Sequence, residues 1–162
     1  LGLPQPITEE RKYIVKVTGE IPSSIDSHIM QTYLVSDPDS EVRLRQREWA
    51  NGNVVNVHTT TKTLKANQQV ETERQVSNAL YESLLSQADP YRQTICKQRN
   101  SFIWKGQYFE LDTYEKQLEG LVILETKGIT DKEHVNFPPF IEEVEDITGN
   151  QKYYNYNLAL RH

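Results

Sequence analysis

The sequence predicts an α+β fold that is built on an antiparallel sheet of about eight strands, with a few short helices. Two observations predict this class. Apolar and polar residues alternate with a period of two along most of the 162 residues, which is the pattern of strands with one buried face. Turn sequences such as Asn51-Gly52 and Lys105-Gly106 join neighbouring segments by the short loops that are typical of hairpins.

Nine segments show this strand pattern, and turn signals such as Asp37-Pro38-Asp39 separate several of them. They are residues 7–18, 29–35, 41–49, 53–64, 69–76, 93–104, 107–112, 121–127 and 141–147. Because the hairpin turns join segments that are adjacent in the chain, we expect the pairing to be mostly antiparallel.

Helical signals are fewer and shorter. Residues 77–88 place Leu80, Leu84 and Leu85 on one face, and Ser77 stands where an N-cap is needed. Two more short helices are predicted. One covers residues 113–119 and ends at Gly120, and the other begins at a capping box of residues 130–133.

The composition limits the class of protein. The net charge of −5 and the isoelectric point near 5.4 do not favour nucleic-acid binding, so any basic site must be a local cluster. The single cysteine, Cys96, allows no internal disulfide and suits a reducing compartment, so we expect a cytoplasmic location. The apolar runs are too short for a transmembrane segment. The first residues, LGLPQP, have the character of a linker, so we expect a domain over residues 7–160 that follows a linker remnant, residues 1–6, and a fused domain.

Charged residues follow one face of almost every predicted strand. In the stretch EVRLR, strand alternation puts Glu41, Arg43 and Arg45 on one face and two apolar residues on the other. The next segment alternates in the same way, and its polar face carries Asn56, His58, Thr60 and Lys62.

Two architectures fit this pattern. In the first, the charges face water from an open sheet that packs on helices. In the second, the charged faces converge inside a closed barrel, and the apolar faces pack outward. Such a lumen is costly to desolvate unless it holds water, ions or a charged ligand. Arginine and lysine side chains would favour a polyanion, and neighbouring carboxylates would suit Mg²⁺ or Mn²⁺. The alternation alone does not distinguish the two.

Eight short motifs follow one another in an order that resembles one known family. They are ERKYIV (10–15), EVRLRQ (41–46), TTTK (59–62), ETE (71–73), ICKQR (95–99), FELD (109–112), LVILE (121–125) and ITGNQKYYNYNLA (147–159). Together they resemble a CYTH domain of the triphosphate tunnel metalloenzyme family, over nearly the whole chain from Ile7 to Leu160.

The resemblance implies an eight-stranded antiparallel β-barrel with a charged lumen, the triphosphate tunnel, and helices packed outside. It also implies binding of a triphosphate group, with Mg²⁺ or Mn²⁺. The basic positions that match the family's phosphate-binding residues are Lys12, Arg43, Arg45, Lys62, Lys97 and Arg99. The acidic positions are Glu10, Asp112 and Glu125, as the expected metal ligands, and the further tunnel acids Glu71, Glu73 and Glu110.

Two positions depart from the family pattern. Thr8 stands where the resemblance implies a carboxylate, and Lys127 stands where it implies a glutamate. Both changes weaken a metal site, and Lys127 could contact phosphate directly. We therefore expect binding of a triphosphate, nucleotide or other phosphorylated anion, with slow or absent hydrolysis. The alternative is a Mg²⁺- or Mn²⁺-dependent phosphoanhydride hydrolase that acts on tripolyphosphate or nucleoside triphosphates.

The resemblance also suggests partners. We expect the ligand to be tripolyphosphate, a nucleoside triphosphate such as GTP, or a phosphoinositide headgroup. Because CYTH domains occur fused to P-loop nucleoside triphosphatase domains, we expect such a domain on the N-terminal side.

Overall fold

The computed structural model describes residues 4–5, 10–128 and 134–162. The expectations at Thr8 and at the capping box of residues 130–133 lie outside these residues. Among the described residues, no helix is both long enough and apolar enough to cross a membrane.

Ten strands form one sheet in which every neighbouring pair is antiparallel. In chain order the strands are β1 (Pro4–Gln5), β2 (Glu10–Val17), β3 (Ile25–Leu34), β4 (Ser40–Trp49), β5 (Val54–Thr63), β6 (Gln69–Val76), β7 (Ile95–Trp104), β8 (Gln107–Tyr114), β9 (Val122–Lys127) and β10 (Ile141–Asp146). Their order across the sheet is β1-β6-β5-β4-β3-β7-β8-β9-β2-β10. The helices are α1 (Asn78–Leu84) and α2 (Asn155–Leu158).

The nine predicted strand segments correspond to β2–β10, and the antiparallel prediction is confirmed. The structure adds one short strand, β1, at one end of the sheet. Pro4–Gln5, which lie in the predicted linker, pair with Thr72 and Glu71 of β6, and β10 pairs with β2. Among the described residues the hydrogen-bonded sheet ends at β1 and β10, so the ladder is not closed into a complete barrel.

Chain connectivity requires the sheet to curl. Strands β1 and β2 lie eight positions apart in the sheet order, which is about 38 Å in a flat sheet at the usual strand spacing. Only five residue steps join Gln5 to Glu10, and an extended chain of that length reaches about 18 Å at most. The sheet must therefore bend until its two ends approach each other, and it encloses one of its faces.

The β7–β8 hairpin shows the predicted two-residue turn. Trp104 pairs with Gln107, and the residues between them, Lys105 and Gly106, have φ angles of 47° and 76°. Two successive left-handed residues are the geometry of a type I′ turn, whose twist matches that of the flanking strands.

The outer face of the sheet carries two apolar cores. Near β3–β6, Tyr81 of α1 packs against Leu34, Leu44 and Val76. Near β2, β7, β8 and β9, residues 135–141 cover a larger cluster that includes Tyr13, Phe109 and Leu124. The predicted helix at residues 77–88 is confirmed as α1 followed by a 3₁₀ turn over Leu85–Gln87. Its buried anchor is Tyr81 rather than Leu80, which is 40% exposed.

The predicted helix at residues 113–119 is shorter than expected. The segment 113–119 contains only a 3₁₀ turn over Lys116–Leu118, because β8 continues to Tyr114. At the end of the chain, α2 and the 3₁₀ turn Gln151–Tyr153 fold back onto the enclosed face of the sheet, where a third apolar cluster includes Tyr33, Ile95 and Tyr114.

Candidate functional site

The strand register places most of the predicted site residues on the enclosed face, here called the inner face. Residues that are paired across neighbouring strands project from the same side of a sheet. Starting from Arg43 and Arg45 on β4 and following the pairs across the sheet, the predicted residues that share this face are Glu10, Lys12, Glu71, Glu73, Lys97, Arg99, Glu110, Asp112, Glu125 and Lys127.

Lys62 is the exception, and its predicted place beside the arginines is wrong. It pairs with Ser40 on β4 and Val70 on β6, so it lies on the outer face, and it is exposed. The inward-facing residues of β5 include Thr59 and Thr61, because they pair with Arg43 and Glu41. The predicted alternation of β5 is confirmed, but its predicted polar face lies on the outer side of the sheet and not beside the arginines.

An ion-pair network fills the inner face of β7 and β8. Lys97 Nζ lies 2.7 Å from Asp112 Oδ2, and Arg99 donates two hydrogen bonds of 2.8 and 2.9 Å to the two oxygens of the same carboxylate. Arg99 also donates to Glu110 at 3.2 Å. Burial alone would raise the pKa of Asp112, but Lys97 and Arg99 hold that pKa below its usual range. These three charges therefore stabilise one another.

The inner face of β2 and β9 carries a second mixed cluster. Lys12 Nζ lies 3.2 Å from Glu10 Oε1, and Lys127 Nζ lies 3.9 Å from both Glu125 and Glu110. Burial and a hydrogen bond with Glu10 raise the pKa of Glu125 to about 8. At neutral pH Glu125 is therefore largely protonated, and the two carboxyl groups share a hydrogen bond instead of repelling each other.

Strand β4 presents three arginines, and their environments differ. Arg43 lies 3.3 Å from Glu41 and 3.2 Å from Glu71, so it is paired. Arg45 is different, because its Nε is buried and has no hydrogen-bond partner in the described part of the chain. Burial and the nearby Arg99 both lower the pKa of the Arg45 guanidinium. The Arg45 Nε is therefore a buried donor for which the described residues provide no acceptor, although Glu73 and Glu110 attract the charge of the guanidinium.

Sequence reasoning missed Arg47, the next inward residue of β4. Its Nε donates to Ser27 Oγ at 2.8 Å, and its guanidinium stacks over the Trp49 ring at 3.9 Å. Neither contact uses a terminal nitrogen of Arg47 as a hydrogen-bond donor. The signal was present in the alternation of residues 43, 45 and 47, but the family motif ends at Gln46.

The predicted metal ligands Glu10, Asp112 and Glu125 do not form one centre. Both oxygens of Asp112 are bound by Lys97 and Arg99, while Glu10 and Glu125 bond to each other. Within residues 10–128 and 134–162, no three carboxylate, histidine or cysteine groups are arranged to hold a metal ion. In the described part of the chain these three carboxylates therefore do not converge on one point: Asp112 is paired with two cations, and Glu10 with Glu125.

Comparison with solved structures identifies the fold. A crystal structure of the inorganic triphosphatase NE1496 aligns with a TM-score of 0.68 and 25% identity, over 98% of this chain and 97% of that chain. A crystal structure described as the hypothetical protein NE1496 aligns with a TM-score of 0.67 and 26% identity, over 96% of this chain and 99% of that chain. The PH1819 protein from Pyrococcus horikoshii shares the fold at a TM-score of 0.50 and 20% identity, over 74% of this chain and 78% of that chain.

No protein-family model matches the chain, and no curated protein matches it significantly in sequence. The structural similarity to NE1496 covers nearly all of both chains, including every strand that carries the charged inner face. The chain has the triphosphate tunnel fold, and its similarity to an inorganic triphosphatase supports the resemblance to the CYTH family.

Proposed function

We propose that the chain binds a triphosphate or a similar phosphorylated anion on the inner face of its sheet. The observation that carries the proposal is Arg45, whose buried Nε has no hydrogen-bond partner among the described residues. An unsatisfied buried donor on a charged group is unfavourable, and phosphate oxygens are acceptors that match a guanidinium. A bound phosphate would supply the missing partner.

The proposed phosphate ligands come from two sides of the tunnel. On β4 they are Arg45 and Arg47, with Arg43 recruited from its carboxylate partners. On β2 and β9 they are Lys12 and Lys127, whose side chains are 17% and 50% exposed. Lys97 and Arg99 are bound to Asp112, so their contribution is to orient that carboxylate and to add positive potential.

Hydrolysis is proposed to be slow or absent. In-line attack on a phosphoryl group needs charge stabilisation and an oriented water. Lys127 adds a positive charge 3.9 Å from Glu110 and from Glu125, which opposes a divalent cation at those carboxylates.

The remaining predictions are part of the same proposal: a fused P-loop domain, a cytoplasmic location, and GTP or a phosphoinositide headgroup as alternative ligands.

A metal-dependent triphosphatase is the second candidate. Two observations favour it: Glu10 and Glu125 lie close enough to share a hydrogen bond, and one solved structure with the same fold is described as an inorganic triphosphatase. Two carboxylates together with phosphate oxygens would be enough oxygen ligands for one Mg²⁺.

Calorimetric titration with tripolyphosphate, in EDTA and then in Mg²⁺ or Mn²⁺, together with phosphate release, tests both candidates. Binding in EDTA without release supports the first candidate, whereas metal-dependent release supports the second. Arg45→Gln should weaken binding by about tenfold to a hundredfold. Arg74→Gln is the matched control, because Arg74 is exposed on the outer face of β6 and should leave the affinity unchanged. Absence of binding under all conditions would refute the proposal.

A further inference from the structure

Exposed apolar side chains border one edge of the inner face. Ile25 is the first residue of β3, and Ile103 and Tyr108 lie on either side of the β7–β8 turn. Their exposed fractions are 65%, 70% and 44%. The register makes them neighbours on the face that carries Arg99, because Ile25 pairs with Ser101 and Ile103 pairs with Tyr108. Three adjacent strands therefore present a continuous apolar surface to solvent.

Trp49 extends this surface onto β4. It pairs with Ser27 of β3, and Ile25 is the preceding residue of β3 on the same face. The Arg47 guanidinium stacks over the Trp49 ring at 3.9 Å, so the apolar edge adjoins the inward arginines. Arg45 lies four residues from Trp49, which is about 13 Å along a strand. The four apolar residues, here called the rim, are Ile25, Trp49, Ile103 and Tyr108.

The composition of the rim is typical of a surface that enters a membrane interface. Isoleucine gains free energy on transfer from water to hydrocarbon, whereas tryptophan and tyrosine favour the headgroup level, because each joins an apolar ring to a polar atom. Two long cations flank the rim. Lys105, in the β7–β8 turn, is exposed, and the Lys127 side chain is 50% exposed. Such side chains can lie along an apolar surface while the ammonium group contacts lipid phosphates.

The charge of the chain limits which lipids it can attract. The net charge of −5 opposes a general attraction to anionic membranes, and Glu48 and Glu10 add negative charge near the rim. A lipid whose phosphates enter the inner face gains more, because it reaches Arg47 and then Arg45. The buried Nε of Arg45 has no hydrogen-bond partner among the described residues. Binding should therefore require a particular headgroup.

We infer that the rim docks on a membrane surface while the inner face binds the phosphorylated headgroup of a lipid. The inference rests on the proposed function and names one source of its phosphorylated anion. Because Arg45 lies about 13 Å inside the rim, a phosphate that is attached directly to glycerol would remain at the rim. Phosphates on the far side of an inositol ring extend further inward. The ligand class is therefore a phosphoinositide with phosphorylated ring positions.

Vesicle binding and soluble headgroup binding separate docking from phosphate recognition. The vesicles are phosphatidylcholine with a minor fraction of phosphatidylinositol bisphosphate, or with phosphatidylserine at equal total charge. Sedimentation in EDTA measures the fraction of the chain that is bound. Calorimetry with inositol trisphosphate and with tripolyphosphate measures binding without a membrane. We expect the unmodified chain to bind both soluble anions and the phosphoinositide vesicles, and not the phosphatidylserine vesicles.

Two double variants of exposed aliphatic residues form a matched pair. Ile25→Ser with Ile103→Ser should weaken vesicle binding by about tenfold or more, because that apolar area no longer enters the interface. Its affinity for inositol trisphosphate should stay within about twofold of wild type. Val35→Ser with Val144→Ser changes residues that are 64% and 54% exposed and lie away from the rim, so vesicle binding should not change. Arg45→Gln should weaken the binding of vesicles and of inositol trisphosphate.

The outcomes separate the inference from the function on which it depends. Loss of vesicle binding in the rim variant, with its affinity for inositol trisphosphate retained, supports membrane docking. Equal loss of both means that the rim contacts the ligand itself, and equal binding to phosphatidylserine vesicles means non-specific attraction; either result overturns the inference. A dimer that the rim variant abolishes would assign the rim to a second copy of the chain and also overturns it. Binding of tripolyphosphate without binding of vesicles leaves only the proposed function, and binding of neither refutes both.

Discussion

Replacing Arg45 by methionine is expected to stabilise the fold while it weakens anion binding. The Arg45 Nε is buried without a hydrogen-bond partner among the described residues, and the positive Arg99 lies near enough to lower its pKa. An unsatisfied buried donor costs about 1–3 kcal/mol, and methionine retains a long flexible side chain without that cost. We expect the free energy of unfolding to rise by about 1 kcal/mol or more, within this range.

The matched variant Arg99→Met should act in the opposite direction. Arg99 donates two hydrogen bonds to Asp112 and one to Glu110, at 2.8, 2.9 and 3.2 Å. Its removal leaves these buried carboxylates short of a partner, and breaking a buried ion pair in this way costs about 3–5 kcal/mol. The two substitutions are chemically identical, so opposite changes in the free energy of unfolding would be due to the hydrogen-bond partners of each arginine.

Urea denaturation in phosphate-free buffer, followed by tryptophan fluorescence, measures both stabilities. Tripolyphosphate titration of the same samples should show Arg45→Met binding weaker by about tenfold to a hundredfold, which is the loss of one or two charge-assisted hydrogen bonds. If Arg45→Met destabilises the fold as much as Arg99→Met, Arg45 belongs to the structural ion-pair network. In that case the reasoning from its unpartnered Nε is refuted.

Three further changes test individual parts of the site. Lys62→Ala should leave the calorimetric affinity for tripolyphosphate unchanged, because Lys62 is exposed on the outer face, and a clear loss would contradict the register. Because the pKa of Glu125 is raised from 4.5 to about 8, the folded state retains a proton that the unfolded state loses. Stability should therefore fall by up to about 1.4 kcal/mol per pH unit as the pH rises through that window, and Glu125→Gln should flatten the slope in urea titrations made in EDTA. Lys127→Glu should weaken the binding of tripolyphosphate in EDTA and make it depend on Mn²⁺, as titration with and without the metal shows. If the variant binds as tightly as wild type in EDTA, Lys127 is not a ligand.

Strand alternation was enough to predict which residues share a face, but not which face is enclosed. It grouped Arg43 with Arg45 correctly, since each face of a strand repeats with a period of two. It also grouped His58 with Lys62 correctly, yet it placed both on the same face as the arginines. The pairing of Arg43 with Thr59 sets that relation, and it depends on the geometry of the hairpin between β4 and β5 and not on local sequence.

Partner choice inside the tunnel could not be predicted from the sequence either. Asp112 was expected to bind a metal, but in the structure Lys97 and Arg99 take both of its oxygens. All three lie within β7 and β8, so only their register and the burial of the inner face decide this contact. The packing of the C-terminal segment on the inner face likewise depends on a long-range contact, that of Tyr156 with Tyr33.

The proposed role of Arg45 predicts that added ligand reverses the order of stability of wild type and Arg45→Met. A ligand that binds only the folded state adds about 2.7 kcal/mol of stability at a hundred times its dissociation constant. Wild type should gain this amount from tripolyphosphate, whereas Arg45→Met, which starts more stable, should gain little. Thermal unfolding over a concentration series should therefore show wild type below the variant without ligand and above it near saturation. Two curves that rise in parallel would mean that the anion binds away from Arg45, and the assignment of the tunnel as the phosphate site would fail.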